Sequence, residues 1–310
     1  MRKKGRPCIG ISVKPQHITE ACRALDMFPC IEHVQIKLAP KRDERRKLEE
    51  NVRLLKREHP DTELSFHAYG QANPAEPVQS VRREWLALIE DAVLQAQDMG
   101  GEFVVLHGGS VQGKNPVALR QNGLNALCDS LEELSEFAQR HSAELHLENI
   151  YPAPLRSELV RFMDRVEDYR FMLDAVNAPG LKYCFDFGHA MIDDRGMPIL
   201  YECMPKLGSV HMHENDRQND LHMPPVGLFE WEGHIRAITD SGFDGPFIAE
   251  TAPEGLMQSV TWLISMLEQA GAPGETLWRG RSEGGTDGKT GHRLKRKEEN
   301  KWDILYCFYA

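Results

Sequence analysis

Residues 182–189 read KYCFDFGH and residues 209–216 read SVHMHEND. Each is a short β-branched or aromatic run that delivers a carboxylate or an imidazole at its carboxyl end, Asp186 and then His189 in the first, His213 in the second. The same design recurs outward from this pair. The run 62–67 ends at His67, 103–107 ends at His107 (VVLHGGS), 144–149 reaches Glu148 (LHLEN), and 246–250 ends at Glu250 (FIAE). With 8–13 and 31–38 upstream, eight candidate strands alternate with helical patterns at 41–58, 78–99, 116–140 and 254–270; in the first of these Leu48, Val52 and Leu55 share one face. Strand–helix alternation implies a parallel sheet with right-handed crossovers, and eight such units in about 250 residues are the arithmetic of an α/β (β/α)8 TIM barrel. A doubly wound open sheet shares the alternation. The G-x-G-x-x-G of its nucleotide-binding version is missing, because Val13-Lys14-Pro15-Gln16 follows the first strand.

Composition agrees with one large domain. The chain has 310 residues, is 41% hydrophobic and 27% charged, and carries a formal net charge of −10. Such a balance gives no general attraction to nucleic acid, although a local basic face is all that binding needs. No apolar run approaches the ~20 residues of a membrane helix. The opening MRKKGRPCIGISV is basic and then apolar, but too short for a signal peptide and without an A-x-A-like cleavage site. Seven scattered cysteines (Cys8, Cys22, Cys30, Cys128, Cys184, Cys203, Cys307) with no C-x-x-C pair favour reduced thiols in the cytoplasm. The expected division is a barrel over 1–274 and a tail over 275–310. Residues 279–301 are polar and charge-rich and read as disordered, whereas 302–310 (WDILYCFYA) are apolar.

In a parallel barrel all the carboxyl ends of the strands converge on one face, where such folds place their chemistry. Each His or carboxylate taken alone has a bland reading, as a hydrogen-bonded structural group or a helix cap. Gathered at one mouth they repel and pay for desolvation, and a divalent cation removes that penalty. Asp220 and His222, in NDLHMPP, add two more donors. Imidazoles and carboxylates without cysteine suit Mn²⁺, Zn²⁺, Co²⁺ or Fe²⁺, with Mg²⁺ a further choice. His211 lies two before His213 and so on the same strand face; His213, nearer the carboxyl end, is the expected ligand and His211 an inner supporting residue.

This pattern, over about residues 8–270, resembles the xylose-isomerase-like TIM-barrel superfamily, which joins sugar isomerases and epimerases with the family 2 abasic-site endonucleases of the endonuclease IV type. The resemblance implies a central metal held by Glu148, Asp186, His213 and Glu250, and Asp186 to His189 matches its D-x-x-H step. His67, His107, Asp220 and His222 fall where the endonuclease branch holds further metals. For that branch also stands Asn73, six residues after His67. Against it, the tyrosine is one place early (Tyr69), Phe187-Gly188 replaces Thr-Cys, and the loop from His213 to Asp220 is shorter and lacks Ser-Lys and glycines. HENDRQNDLHMPP looks more like the isomerase/epimerase branch, although its glycine-rich continuation is altered to VGLFEW.

The expectation is therefore a metal-dependent sugar or sugar phosphate isomerase or epimerase. It would transfer a proton beside a carbonyl through an enediolate, with Glu148 and Glu250 as acid and base across the mouth. His189 and Arg217 are candidates to bind substrate oxygens, and Phe229 and Trp231 either wall the site or pack. The alternative is an endonuclease IV-like phosphodiesterase, the one reading in which nucleic acid is the partner. A third, a degenerate barrel that only binds, is disfavoured by the intact ligand set.

Overall fold

A computed structural model describes residues 6–38, 42–154, 157–176, 178–193 and 195–271. The tail expected over 275–310 lies outside the described residues. In chain order the elements are β1 (Cys8–Val13), α1 (Ile18–Met27), β2 (Ile31–Lys37), α2 (Arg42–Glu58), β3 (Glu63–His67), α3 (Gln79–Asp98), β4 (Gly101–His107), β5 (Ser110–Gln112), α4 (Pro116–Arg140) and β6 (Glu144–Glu148). There follow β7 (Leu159–Arg161), α5 (Val166–Ala175), β8 (Leu181–Asp186), α6 (Phe187–Ile192), α7 (Met197–Cys203), β9 (Leu207–Met212), α8 (Glu232–Asp240), β10 (Pro246–Ala249) and α9 (Leu256–Gln269). Eight strands close into a parallel barrel in the order β1-β10-β9-β8-β6-β4-β3-β2. These are the eight runs expected from the sequence, so the (β/α)8 reading holds. Two short strands were not foreseen: β5 and β7 pair antiparallel in the loops after β4 and β6.

Helix periodicity supplies the outer layer of the core. In α4 the buried Leu124, Leu127, Leu131, Leu134 and Ala138 recur at spacings of three and four, which puts them on one face. Pro116 opens that helix, and the Asn115 side chain accepts the Ala118 N–H at 3.3 Å. The barrel interior is a separate and mixed layer. Phe103, Val105, Cys184 and Ile248 form a small apolar plug of their own. Around it the buried polar groups His33, Gln35, Ser65, His146 and Ser209 point inward from alternate strand positions. The six cysteines among the described residues are free. No helix among the described residues is long and apolar enough to cross a membrane.

Outside the barrel, Arg120 of α4 bridges two buried carboxylates. Its Nη1 lies 2.5 Å from Asp168 and its Nη2 lies 3.0 Å from Asp164. Burial pushes the Asp168 carboxyl up to about 6 against the pull of Arg120, and Asp164 adds to the rise.

Candidate metal centre

The carboxyl ends of β3, β4, β6, β8, β9 and β10 bring the expected donors to one mouth. His67 Nε2 and His107 Nε2 lie 2.9 and 3.1 Å from the same oxygen of Glu148, Oε2. The other oxygen, Oε1, lies 3.0 Å from Nδ1 of His211. That same Nδ1 is 2.5 Å from Oε2 of Glu250 and 3.6 Å from Oδ2 of Asp186. His213, expected as the fourth member of this central group, meets it at Asp186 and also turns toward Asp220. Its Nε2 lies 3.1 Å from Asp186 Oδ1 and 3.8 Å from Asp220 Oδ1. The reason is register: Asp186 pairs with His211 across β8 and β9, so His211 is level with the carboxylates and His213 stands two residues further out. Asp220 Oδ2 completes an outer group at 3.3 Å from both His189 Nε2 and His222 Nε2.

The rings are oriented from behind. Nδ1 of His67, His107, His189 and His222 lies 2.7, 3.1, 2.8 and 2.9 Å from the backbone carbonyl of Ala68, Gly70, Asn149 and Glu250 respectively. A carbonyl only accepts, so each Nδ1 is an N–H and Nε2 is the ring atom turned toward a carboxylate. Lone pair against lone pair is repulsive unless a proton or a cation lies between them. A backbone-anchored Nδ1–H is also the usual support behind a metal-ligating histidine. Asp220 Oδ1 is buried without a hydrogen-bond donor, and Glu250 Oε2 meets only the His211 ring. The residues present therefore fit divalent ions, in an inner group of Glu148, Asp186, His211 and Glu250 and in two groups flanking it.

Electrostatics follow from the pairing. Burial alone would raise the Glu148 carboxyl; the His211 and His107 rings outweigh it and hold the group well below the usual carboxylate range. Glu250 is likewise held low against burial by His211 and Lys37. Burial would lower the His189 ring, but Asp186 and Asp220 push it up to about 10.

Three contributors were not foreseen. Lys37, the last residue of β2, ion-pairs with Glu250; the only sequence signal was a lysine ending an otherwise uncharged strand tip. Asn149 clamps β8 by accepting the Asp186 N–H at 2.7 Å and donating to the Asp186 carbonyl at 2.9 Å. Glu214 is fully buried and accepts N–H groups of Val226, Gly227, Leu228 and the Trp231 indole at 2.7–3.2 Å, which fixes the loop behind Asp220 and His222. Gly188 is required by close approach, since a Cβ there would lie 2.0 Å from the His213 ring.

A cavity of about 1050 Å³ opens over these groups, walled by Glu148, His189, Asp220, His222 and Glu250 and by Tyr69, Gln71 and Tyr151. Arg217, expected to meet substrate, is not among the residues of its wall; its guanidinium lies 4.8 Å from the Phe229 ring centre. Trp231 packs against Phe187 and Trp262 and does not wall the cavity. Asn73 holds Ser110 of β5 at both its amide and carbonyl, a structural role.

With the closed barrel and its donor-lined mouth described, the family follows. The profile of the xylose isomerase-like TIM barrels matches residues 20–266. The chain belongs to the xylose isomerase-like TIM-barrel family. Proteins similar to this chain are diverse. An uncharacterized protein of Methanocaldococcus jannaschii is 26% identical over 202 residues, which is 61% of this chain and 64% of that one, so the chain spans under two thirds of this relative. A D-tagatose 3-epimerase-like protein superposes with a TM-score of 0.69 at 20% identity, covering 85% of this chain and 98% of its own. D-allulose 3-epimerase from Methylomonas, solved in complex with D-allulose, gives 0.65 at 15% identity, with 85% and 97% covered. At these identities the xylose isomerase-like fold is what is shared.

Proposed function

We propose that this chain is a divalent-metal-dependent isomerase or epimerase of a sugar or sugar phosphate, moving a proton beside a carbonyl. The observation that carries this reading is the meeting of Glu148 and Glu250 from two sides on one ring nitrogen of His211, on the floor of a cavity large enough for a small polyol. Epimerases among the proteins of similar fold support it. Both carboxylates are held in the ionised form, so either can accept a proton from the carbon next to the carbonyl. The electron pair of the broken C–H bond passes into an enediolate. The carboxylate that took the proton returns it to the neighbouring carbon, or passes it through the cavity to the other carboxylate, which delivers it to the opposite face. Substrate and product are isomers, so nothing else is consumed. Lys37 orients Glu250, and His189 presents its ring to substrate oxygens. What a divalent ion in the group Glu148, Asp186, His211 and Glu250 supplies, when bound, is positive charge against the oxygens of the enediolate.

The test incubates metal-loaded protein in D₂O with a panel of ketoses and ketose phosphates. Deuterium is expected at the carbon beside the carbonyl, and its appearance should fall by about 10²–10⁴ in Glu148→Gln and in Glu250→Gln. A second reading, hydrolysis of abasic-site DNA, is favoured by the two flanking groups, which offer more donors than one ion needs. Metal-dependent incision of an abasic duplex with no exchange on any sugar would replace the first reading by the second.

A further inference from the structure

Beside the main cavity lies a side chamber of about 290 Å³, between the first turn of α1 and the β10–α9 connection. The two share Lys14, Lys37, His222 and Glu250 in their walls, so the chamber lies directly beside Glu250. Two polar groups in the chamber wall lack partners. Ser12, at the end of β1, is 5% exposed and its Oγ makes no hydrogen bond. Glu20, in the first turn of α1, has Oε1 3.8 Å from His17, while its Oε2 is buried with no donor. Native proteins seldom leave a group as deeply buried as Ser12 Oγ unmet; the Glu20 side chain is 40% exposed, but its Oε2 is turned inward, and both residues line the same recess. Lys37 is already committed to Glu250. Pro253 and Leu256 supply an apolar side.

We propose that this chamber is the subsite for the far end of the substrate, and that this end is a neutral hydroxymethyl terminus rather than a phosphate. The proposal rests on the isomerase reading above and narrows its substrate class. A terminal O–H can donate to Glu20 Oε2 while its oxygen accepts from Ser12, which satisfies both orphan atoms at once. A phosphate monoester, nearly doubly ionised at neutral pH, has little O–H to offer and would face the Glu20 and Glu250 carboxylates. Of the basic groups in the wall, Lys14 is exposed to solvent, Lys37 is paired with Glu250, His222 faces Asp220 and His17 faces Glu20, so none is a free buried cation for it.

The experiment measures kcat/KM for deuterium exchange on ketoses of three to six carbons, with and without a terminal phosphate, in the wild type, Ser12→Ala and Glu20→Gln. The expected losses grow with chain length, reaching about threefold to tenfold for Ser12→Ala and about tenfold or more for Glu20→Gln on the longest neutral ketose. Neutral ketoses should outrun their terminal phosphates, and Glu20→Gln should narrow that gap. Equal losses at every length, or a preference for phosphate, would overturn the subsite while leaving the isomerase intact. Erythritol has no carbonyl and cannot react, so its binding by saturation-transfer NMR probes the chamber alone. Binding that weakens in both variants upholds the chamber even if no ketose exchanges, in which case the isomerase reading alone fails; no erythritol binding counts against the chamber.

Discussion

At the amino end of the barrel interior, His33 stacks on Phe103 with ring centres 5.4 Å apart, and Phe103 stacks on His146 at 3.9 Å. Their closest polar partners are hydroxyls, Ser65 at 2.7 Å from His33 and Ser209 at 2.9 Å from His146. At the carboxyl end the rings of His67, His107, His189, His211, His213 and His222 face carboxylates instead. Both sets lie within one barrel, and His146 and His211 are equally buried. Burial takes the His146 ring down to about 4 in spite of Glu144, so it serves as a neutral packing group. In His189 the same burial is overridden by Asp186 and Asp220. Buried histidine is therefore no mark of a site; what its ring nitrogens face is.

If the layers are independent, the lower one can be damaged without touching the upper. Phe103→Ala, which removes the plate between His33 and His146, is expected to lower stability by about 3–5 kcal/mol in denaturant titration. Metal bound per chain, by elemental analysis, should stay unchanged; a loss would mean that the stack positions the donors above it. Within the upper layer, His211→Ala and His213→Ala separate the inner group from the outer. His211→Ala should weaken the tightest metal site by about a hundredfold, and His213→Ala should leave that site within about tenfold, as read by competition with a chelator. Equal effects would restore His213 to the central group.

The smallest effect concerns carboxylates that are buried without imidazoles. Asp168 has its folded value raised to about 6, so its contribution is fully present below the ordinary carboxylate range and is lost as pH rises through about 6. Asp168→Asn should flatten the stability profile between pH 4 and 6 by on the order of 1 kcal/mol. A profile unaltered by the substitution would show that Arg120 neutralises the pair fully.

The barrel was legible because its strands are short and apolar, and six of the eight are punctuated at the carboxyl end by a group that packing does not ask for. His67, His107, Glu148, Asp186 and Glu250 could be named for that reason. The choice between His211 and His213 was not legible, since a period of two places both on one face, and depth in the barrel depends on the register of β9 against β8, where the pairing shifts between Tyr183 and Cys184. Arg217 has a positive φ of 65° and its guanidinium lies over the Phe229 ring, a local geometry that no spacing announces. Lys37 and Glu214 escaped notice because one charged residue near a strand end has no periodicity to betray it. Their roles arise only when a second strand, or a loop a dozen residues on, is folded against them.

Gly188 has a consequence of another kind. The His213 ring occupies the space where a side chain at 188 would begin, with 2.0 Å between its Cε1 and the place of that Cβ. A single methyl group there would evict the ring while leaving every donor atom in the chain. Gly188→Ala is thus a mechanical switch for the outer group, worked by volume alone, and a chain that drifted to alanine at this position would lose that arrangement with its full complement of histidines and acids still written in its sequence.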